Sequence, residues 1–368
     1  MAARHGFITA GTWCVDDNKL IASWPSEDTA TEVLSIDRQG GGSACNMAFG
    51  LRRLDDQMPV ETIGVIGDDL AGQFLCEACD ALSVDREQMA MIEGGHTFST
   101  DAFCVESSGQ RTHFFYAGVA NLLNPDHFNF TKTRARILHL GLPGAHQTMD
   151  SPWRGEASGW VAVLKAARAS GLETNLEAMT IAPGLLAALV TPCLPFLDYL
   201  VVNDFEIGAI CGIETRGIAG TDLVAVKEAM QTTLRRGAMR AVVVHFPEGA
   251  LALSRDGAFL GQGSLAMPAE LVKGANGAGD AFAAGFLYGQ HEGWGLQDSL
   301  ALGHCVAATS MRALSTTTSI APWRECLELA DRLGFRKSPL DTGYRVVGGK
   351  SGARPVPTVG VGLQHRPS

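Results

Sequence analysis

The chain has 368 residues, 46% of them hydrophobic and 18% charged, and a formal net charge of −10. That length buries a sizeable core, in one large domain with an insertion or in two domains, and the composition excludes a disordered or fibrous chain. The acidic balance, with no basic run, argues against nucleic acid or an anionic membrane as partner, and no segment reaches the ~18 apolar residues that would span a bilayer.

In chain order, FITAGTWCVDD (7–17) reads as a buried first strand running into acids. The start of the chain, MAARHGFITAGTWCV, has no long apolar stretch before a small-residue cleavage site, so a cytoplasmic location is expected. KLIASWP (19–25) and TEVLSIDRQ (31–39) read as short half-exposed strands, SACNMAFGLRRL (43–54) as a helix, and VETIGVIGD (60–68) as a strand ending in Gly and Asp. The nine cysteines are scattered apart from Cys76 and Cys79. On a helical pattern that pair shares a face, and with no second CxxC or His pair it reads as small buried side chains, not a zinc or redox site.

Residues 100–118, TDAFCVESSGQRTHFFYAG, predict a hairpin, with β-rich runs flanking Ser-Ser-Gly. RILHLGLPG (136–144), DYLVVNDFE (198–206) and RAVVVHFPEG (240–249) are apolar runs of the length of buried strands. Helical stretches at 159–171 and 222–237 separate them, which argues for βαβ units and a parallel sheet covered by helices. Two more helices are predicted at 299–314 and 322–335. From about 336 the chain is polar and rich in Gly and Pro and reads as a tail. The tail holds VVGGKSG (346–352), but Tyr344 stands where a P-loop needs its first glycine and no helical pattern follows Gly349-Lys350-Ser351, so this match reads as chance.

The stretch KGANGAGDAFAAGFLYG (273–289) carries more chemistry. Gly277, Ala278 and Gly279 lead into a helical pattern, where free N–H groups and a partial positive charge attract phosphate. Asp280 beside them is placed to take a proton from a hydroxyl attacking phosphorus. An ordinary N-cap accounts for the same residues, and the motif alone leaves both readings open.

NGAGDAFAAGFLYG resembles the C-terminal signature of the ribokinase-like, or PfkB, carbohydrate kinase family, and further landmarks follow the family order over residues 7 to about 335. GGSACNMAFGLRRL and ETIGVIGDDLAGQFL are similar to its N-terminal signature through Gly41, Gly42, Asn46, Gly64, Gly67, Asp68 and, one residue late, Gly72. The resemblance implies an α/β fold of three layers, α/β/α, with a mostly parallel central sheet and a small β-sheet lid. It places one kinase domain at 1–335, with lid segments at about 18–40 and 98–118, and the tail at 336–368. It implies ATP-dependent phosphorylation of a primary hydroxyl of a sugar or sugar acid, with Asp280 as general base and Gly277, Ala278 and Gly279 as anion hole.

By the same resemblance Asp16, Gly41, Gly42 and Asn46 bind the acceptor, with Asp17 as the alternative to Asp16; Arg111 and His113 sit on the lid hairpin, either as solvated residues of its face or as contacts to the acceptor. Asn203 and Glu206 match the Asn-x-x-Glu motif that helps hold Mg²⁺, although Asn203 also suits a helix cap. Gly249 remains of the nucleotide loop, in which His245 and Pro247 replace the usual residues. Gly274 and Ala275 stand where many members have Asp-Thr, which argues against a monovalent-cation requirement and leaves Lys273 without an assigned role. The lid implies a homodimer. A nucleoside kinase, served by Phe98, Phe103 and Phe115, and a non-catalytic sugar-binding protein on this fold are the alternatives.

Overall fold

A computed structural model describes residues 4–341 except 109, 218, 219 and 314, and only the backbone of Arg111. The Gly349-Lys350-Ser351 match, Tyr344 and most of the expected tail lie outside the described residues.

The strands are β1 (Phe7–Gly11), β2 (Cys14–Ile21), β3 (Val33–Gly41), β4 (Val60–Gly67), β5 (Asp85–Ile92), β6 (Phe98–Val105), β7 (Arg111–Tyr116), β8 (Ile137–Gly141), β9 (Glu173–Leu176), β10 (Tyr199–Asn203), β11 (Arg216–Gly217), β12 (Gly220–Thr221), β13 (Ala241–Phe246), β14 (Gly249–Ser254) and β15 (Phe259–Gly263). The helices are α1 (Ser43–Leu54), α2 (Leu70–Ala81), α3 (Gln147–Asp150), α4 (Gly159–Ala169), α5 (Pro183–Val190), α6 (Asp204–Cys211), α7 (Leu223–Arg236), α8 (Ala278–His291), α9 (Leu296–Ser310) and α10 (Trp323–Leu333). Among the described residues no helix is long and apolar enough to cross a membrane.

Nine strands form the central sheet in the order β15-β14-β13-β10-β9-β8-β1-β4-β5. It is parallel from β13 to β5, and β14 and β15 are antiparallel at one edge. Its strands are apolar on both faces because helices cover both. Phe7 packs with Met47, Leu51, Phe282 and Phe286 on one side, while its neighbour Ile8 packs with Trp160, Leu164 and Met230 on the other. This two-residue alternation is what a strand between two helical layers requires.

Side chains satisfy free N–H groups at the start of α4, α7 and α2. Ser158 accepts from Val161 N, Asp222 from Val224 N and Ala225 N, and Asp69 from Gly72 N. Cys79 is fully buried on α2 and Cys76 packs partly against the same core, and all nine cysteines are free.

The stretch 7–17 is two strands, not one. A Cβ on Gly11 (φ 115°) would lie 1.5 Å from the Gly141 carbonyl oxygen, and Thr12 N donates to that oxygen at 2.8 Å. The chain turns there, leaves the central sheet and continues as β2 in a separate four-stranded sheet, order β3-β2-β6-β7. The segment 19–25 is correspondingly the end of β2, and Trp24 and Pro25 lie beyond it. The predicted hairpin at 100–118 forms as the antiparallel pair β6 and β7.

Candidate active site

The C-terminal ends of β9, β10 and β13 border one small cavity with the N-terminus of α8, at the sheet edge where ligands of open α/β sheets collect. Gly277 caps α8 with φ 70°, a left-handed conformation that glycine adopts freely. A Cβ there would lie 2.7 Å from Thr316 Cβ, and one on Gly279 3.0 Å from the His245 ring. Asp280 falls in the first turn of α8, where the helix dipole favours an anion.

A cleft of about 450 Å³ is lined by His245, Pro247, Leu265, Ala275, Ala278 and Gly279, with Phe282 and His304 also on its wall. A smaller cavity of about 90 Å³ shares Asn203, His245 and Gly279 with it and is bordered by three acids, Glu177, Glu206 and Asp280. Burial drives the electrostatics here. Glu206 is pushed up to about 7 chiefly by desolvation, and burial followed by the charge of Glu177 holds Asp280 well above the usual carboxylate range. His245 is pushed down to about 4 by burial and is neutral near pH 7.

Asn46 and Asp280, 234 positions apart, are in contact: Asn46 Nδ2 donates to Asp280 Oδ2 at 2.6 Å. Thr316 Oγ1 donates to Asn46 Oδ1 at 3.0 Å, and Thr316 N donates to Gln39 Oε1 at 3.0 Å. Asp280 is thereby tied, through Asn46 and Thr316, to Gln39 of β3. On the lid, Asp16 faces inward against Gly41, where an added Cβ would lie 2.0 Å from Asp16 Oδ2. Burial raises the Asp16 carboxyl above its ordinary value. Asp17 points to the opposite face, where Arg38 holds both its oxygens at 2.8 Å. Gly42 ends the approach to α1 with φ 85°.

Asn203 and Glu206 form a reciprocal cap on α6. Asn203 Oδ1 accepts Glu206 N at 2.8 Å and Glu206 Oε2 accepts Asn203 N at 3.0 Å. Thr180 Oγ1 donates to Glu206 Oε1 at 2.9 Å. Carboxylate and amide oxygens around a small acidic cavity are a donor set that suits Mg²⁺.

Other expected residues lie elsewhere. Gly249 opens β14 against Pro339 and the Gln262 carbonyl and is not among the residues lining the cleft. Arg111 belongs to β7, paired with Cys104, and its side chain is not described. His113 is exposed, on the same lid face as Asp16. Asp68 is exposed, while Gly67 and Gly72 pack together: a Cβ on Gly72 would lie 2.0 Å from the Gly67 carbonyl oxygen. Lys273 Nζ donates to the Glu270 carbonyl at 3.0 Å.

Glu177 and Gln39 were not singled out by the sequence. Glu177 follows a strand of four residues, too short for a periodic pattern, and the signal that would have found it is an acid directly after a buried run, TNLE, at a strand's C-terminal end.

A nucleotide-sized cleft, an acid-lined cavity and a carboxylate on a helix N-terminus define the site of a phosphoryl-transferring enzyme. The chain belongs to the pfkB family carbohydrate kinases, whose model matches residues 14–324. Within that family it is a kinase of the sugar and nucleoside kinase type. It is 27% identical over 330 residues to a 5-dehydro-2-deoxygluconokinase of Clostridium beijerinckii, covering 83% of this chain and 87% of that one. It is 31% identical over 126 residues to an adenosine kinase of Schizosaccharomyces pombe, covering 34% of this chain and 36% of that one. Its fold is similar to that of an Arabidopsis thaliana ribokinase solved with ribose and ATP, with a TM-score of 0.71, 19% identity and coverage of 89% and 98%.

Proposed function

We propose that this protein transfers the γ-phosphoryl group of ATP to a primary hydroxyl of a small sugar or sugar acid, with Asp280 as general base. The observation that carries the reading is the position of Asp280: in the first turn of α8, held by Asn46, where the cleft and the acidic cavity meet. The acceptor lies against Asp16, Gly41, Gly42 and Asn46 under the lid. ATP lies in the larger cleft, and its phosphates reach the N–H groups of Gly277, Ala278 and Gly279, which stabilise charge on the group in flight. Asn203 and Glu206 are the residues that would hold Mg²⁺ through its waters; the ion supplies charge neutralisation when bound.

The acceptor O–H bond breaks as its proton passes to Asp280. The oxygen bonds to the γ-phosphorus, and ADP leaves with the electron pair of the bond that joined it. A lid over this step excludes water and with it futile ATP hydrolysis. The relative named as a 5-dehydro-2-deoxygluconokinase, matched over most of the chain, supports a sugar-acid acceptor. The adenosine kinase relative, matched over a third of the chain, motivates nucleosides as the second acceptor class. Nine free thiols and a requirement for ATP fit a cytoplasmic protein.

The outer lid face exposes Ile36 (62%), Phe114 (54%) and Tyr116 (59%) together with Trp24 (50%). Such a patch favours a homodimer through the lid. Replacing Ile36 by Arg is expected to convert a dimer to a monomer in sedimentation; an unchanged oligomeric state would exclude the lid as the contact.

The test of function is ADP release with ATP and Mg²⁺ across pentoses, hexoses, keto-deoxy sugar acids and nucleosides. Asp280→Asn is expected to lower kcat by ~10²-fold or more with near-normal acceptor affinity. Wild-type turnover in that variant would sink the assignment of the base. Acceptor binding without any ADP release would instead favour a non-catalytic sugar-binding protein.

A further inference from the structure

Arg216 lies on the wall of the larger cleft, yet the mechanism above gives it no task. It opens β11 and pairs across a short antiparallel ribbon with Thr221 of β12. Both side chains converge on one carboxylate, that of Asp204 at the start of α6. Arg216 Nη2 donates to Asp204 Oδ1, and Thr221 Oγ1 donates to Asp204 Oδ2 at 2.6 Å. Phe205 N also donates to Oδ1, at 3.1 Å. The ribbon is tied down a second time by Thr215, whose Oγ1 donates to the Asp204 carbonyl oxygen at 2.5 Å.

The ion pair is lopsided: the Asp204 side chain is 2% exposed and that of Arg216 is 52% exposed. The buried carboxylate has donors on both oxygens. A guanidinium carries five N–H donors in a planar fork, and the bond from Nη2 to Asp204 uses one of them. The positive end of the pair is therefore the end that solvent and ligands meet. The cleft is polarised to match. Met267, Val272, Ala307 and Met311 give part of its wall an apolar surface suited to a flat base, whereas Arg216 stands with Asn203, His245 and Gly279, the residues that the cleft shares with the small cavity bordered by Asp280. A nucleotide lying along the cleft with its base on the apolar part brings its phosphates to Arg216.

We propose that Arg216 binds the phosphate chain of the nucleotide and that Asp204 holds its guanidinium in place for that contact. This rests on the placement of ATP in the larger cleft. A guanidinium anchored through one N–H presents the rest of its fork to a phosphate, a charge-assisted contact that can be made to two oxygens at once. Arg216 is then a binding residue for the donor, and it leaves the acceptor contacts on the lid side untouched.

The test is the binding of ADP and of adenosine to the full chain with Mg²⁺, for wild type, Arg216→Gln and Arg216→Lys. Each ligand is measured by displacement of a non-hydrolysable ATP analogue, so that the donor cleft alone is read. Arg216→Gln is expected to raise the ADP Kd by ~10-fold or more and to leave the adenosine Kd within about twofold, because adenosine has no phosphate to lose. Arg216→Lys keeps the charge without the fork, raises the ADP Kd by less, about threefold, again with adenosine unchanged, and serves if the Gln variant does not fold. In turnover the KM for ATP rises while the acceptor KM stays within about twofold. A merely structural Arg216 would pin the ribbon to Asp204: its replacement would lower the unfolding temperature and weaken ADP and adenosine alike, or leave both unchanged. Either result overturns the proposal while the kinase reading stands. A wild-type protein that binds no ATP analogue removes both.

Discussion

At the scale of single residues, the site works by close approach. Gly41 lies where any side chain would push into the Asp16 carboxylate. Gly41→Ala is accordingly expected to raise acceptor KM by ~10-fold or more, with a smaller change in ATP KM, as steady-state kinetics would show. That Asp280 falls in the first turn of a helix was legible in the sequence because its neighbours are local: three small residues and a helical pattern mark a helix N-terminus. Asp16 was legible only with Asp17 as an alternative, since a one-residue offset in a strand swaps faces; the salt bridge from Arg38 decides it. Glu177 was not legible, because what distinguishes it is the cavity it borders with Asp280.

At the scale of elements, α8 is held by a seam of small residues against α9. A Cβ on Gly285 would lie 2.8 Å from Val306 Cγ2 and 2.9 Å from Gly303 Cα, and one on Gly289 would lie 2.6 Å from Ser299 Oγ. Gly285→Val should therefore destabilise by overpacking, by ~1–3 kcal/mol or more, and displace the helix that carries Asp280. A lower unfolding temperature together with reduced kcat checks this, and an unchanged unfolding temperature would contradict the packing argument. The alternation of strands and helices was readable because each parallel strand is a continuous apolar run. The break between β1 and β2 was not: FITAGTWCV carries no charged residue to mark a boundary, and what divides it is the approach of Gly11 to Gly141, 130 positions away.

At the scale of the whole molecule, buried titratable groups set how stability depends on pH. Burial pushes His139 and His245 down to about 4 and His304 to about 3, against an ordinary 6.5. Below about 6.5 the unfolded chain binds protons that the folded one refuses, so these residues lower stability as pH falls. Glu177 and Glu206 run the other way, at about 8 and about 7 against an ordinary 4.5. The folded protein keeps protons that the unfolded chain loses above about 4.5, so these acids lower stability as pH rises. Between about 4.5 and 6.5 the two sets oppose each other; above 6.5 only the acids count. The ligand-free protein is expected to be most stable between about pH 4.5 and 6.5 and to lose stability toward pH 8, a fall that Glu177→Gln lessens. Thermal unfolding across that range checks it, and a flat profile from 6.5 to 8 would show that these acids are not held protonated.

The sequence by itself determined the α/β class, the mostly parallel sheet, the hairpin of β6 and β7 and the position of helix α8, because each is written in residues close together along the chain. Only the tertiary structure decided which acid of the Asp16-Asp17 pair faces inward, that Asn46 holds Asp280, and that Glu177 borders the same cavity as Asp280. Asn46 and Asp280 stand 234 positions apart, and a contact at that separation exists only once the sheet has brought the strand ends together.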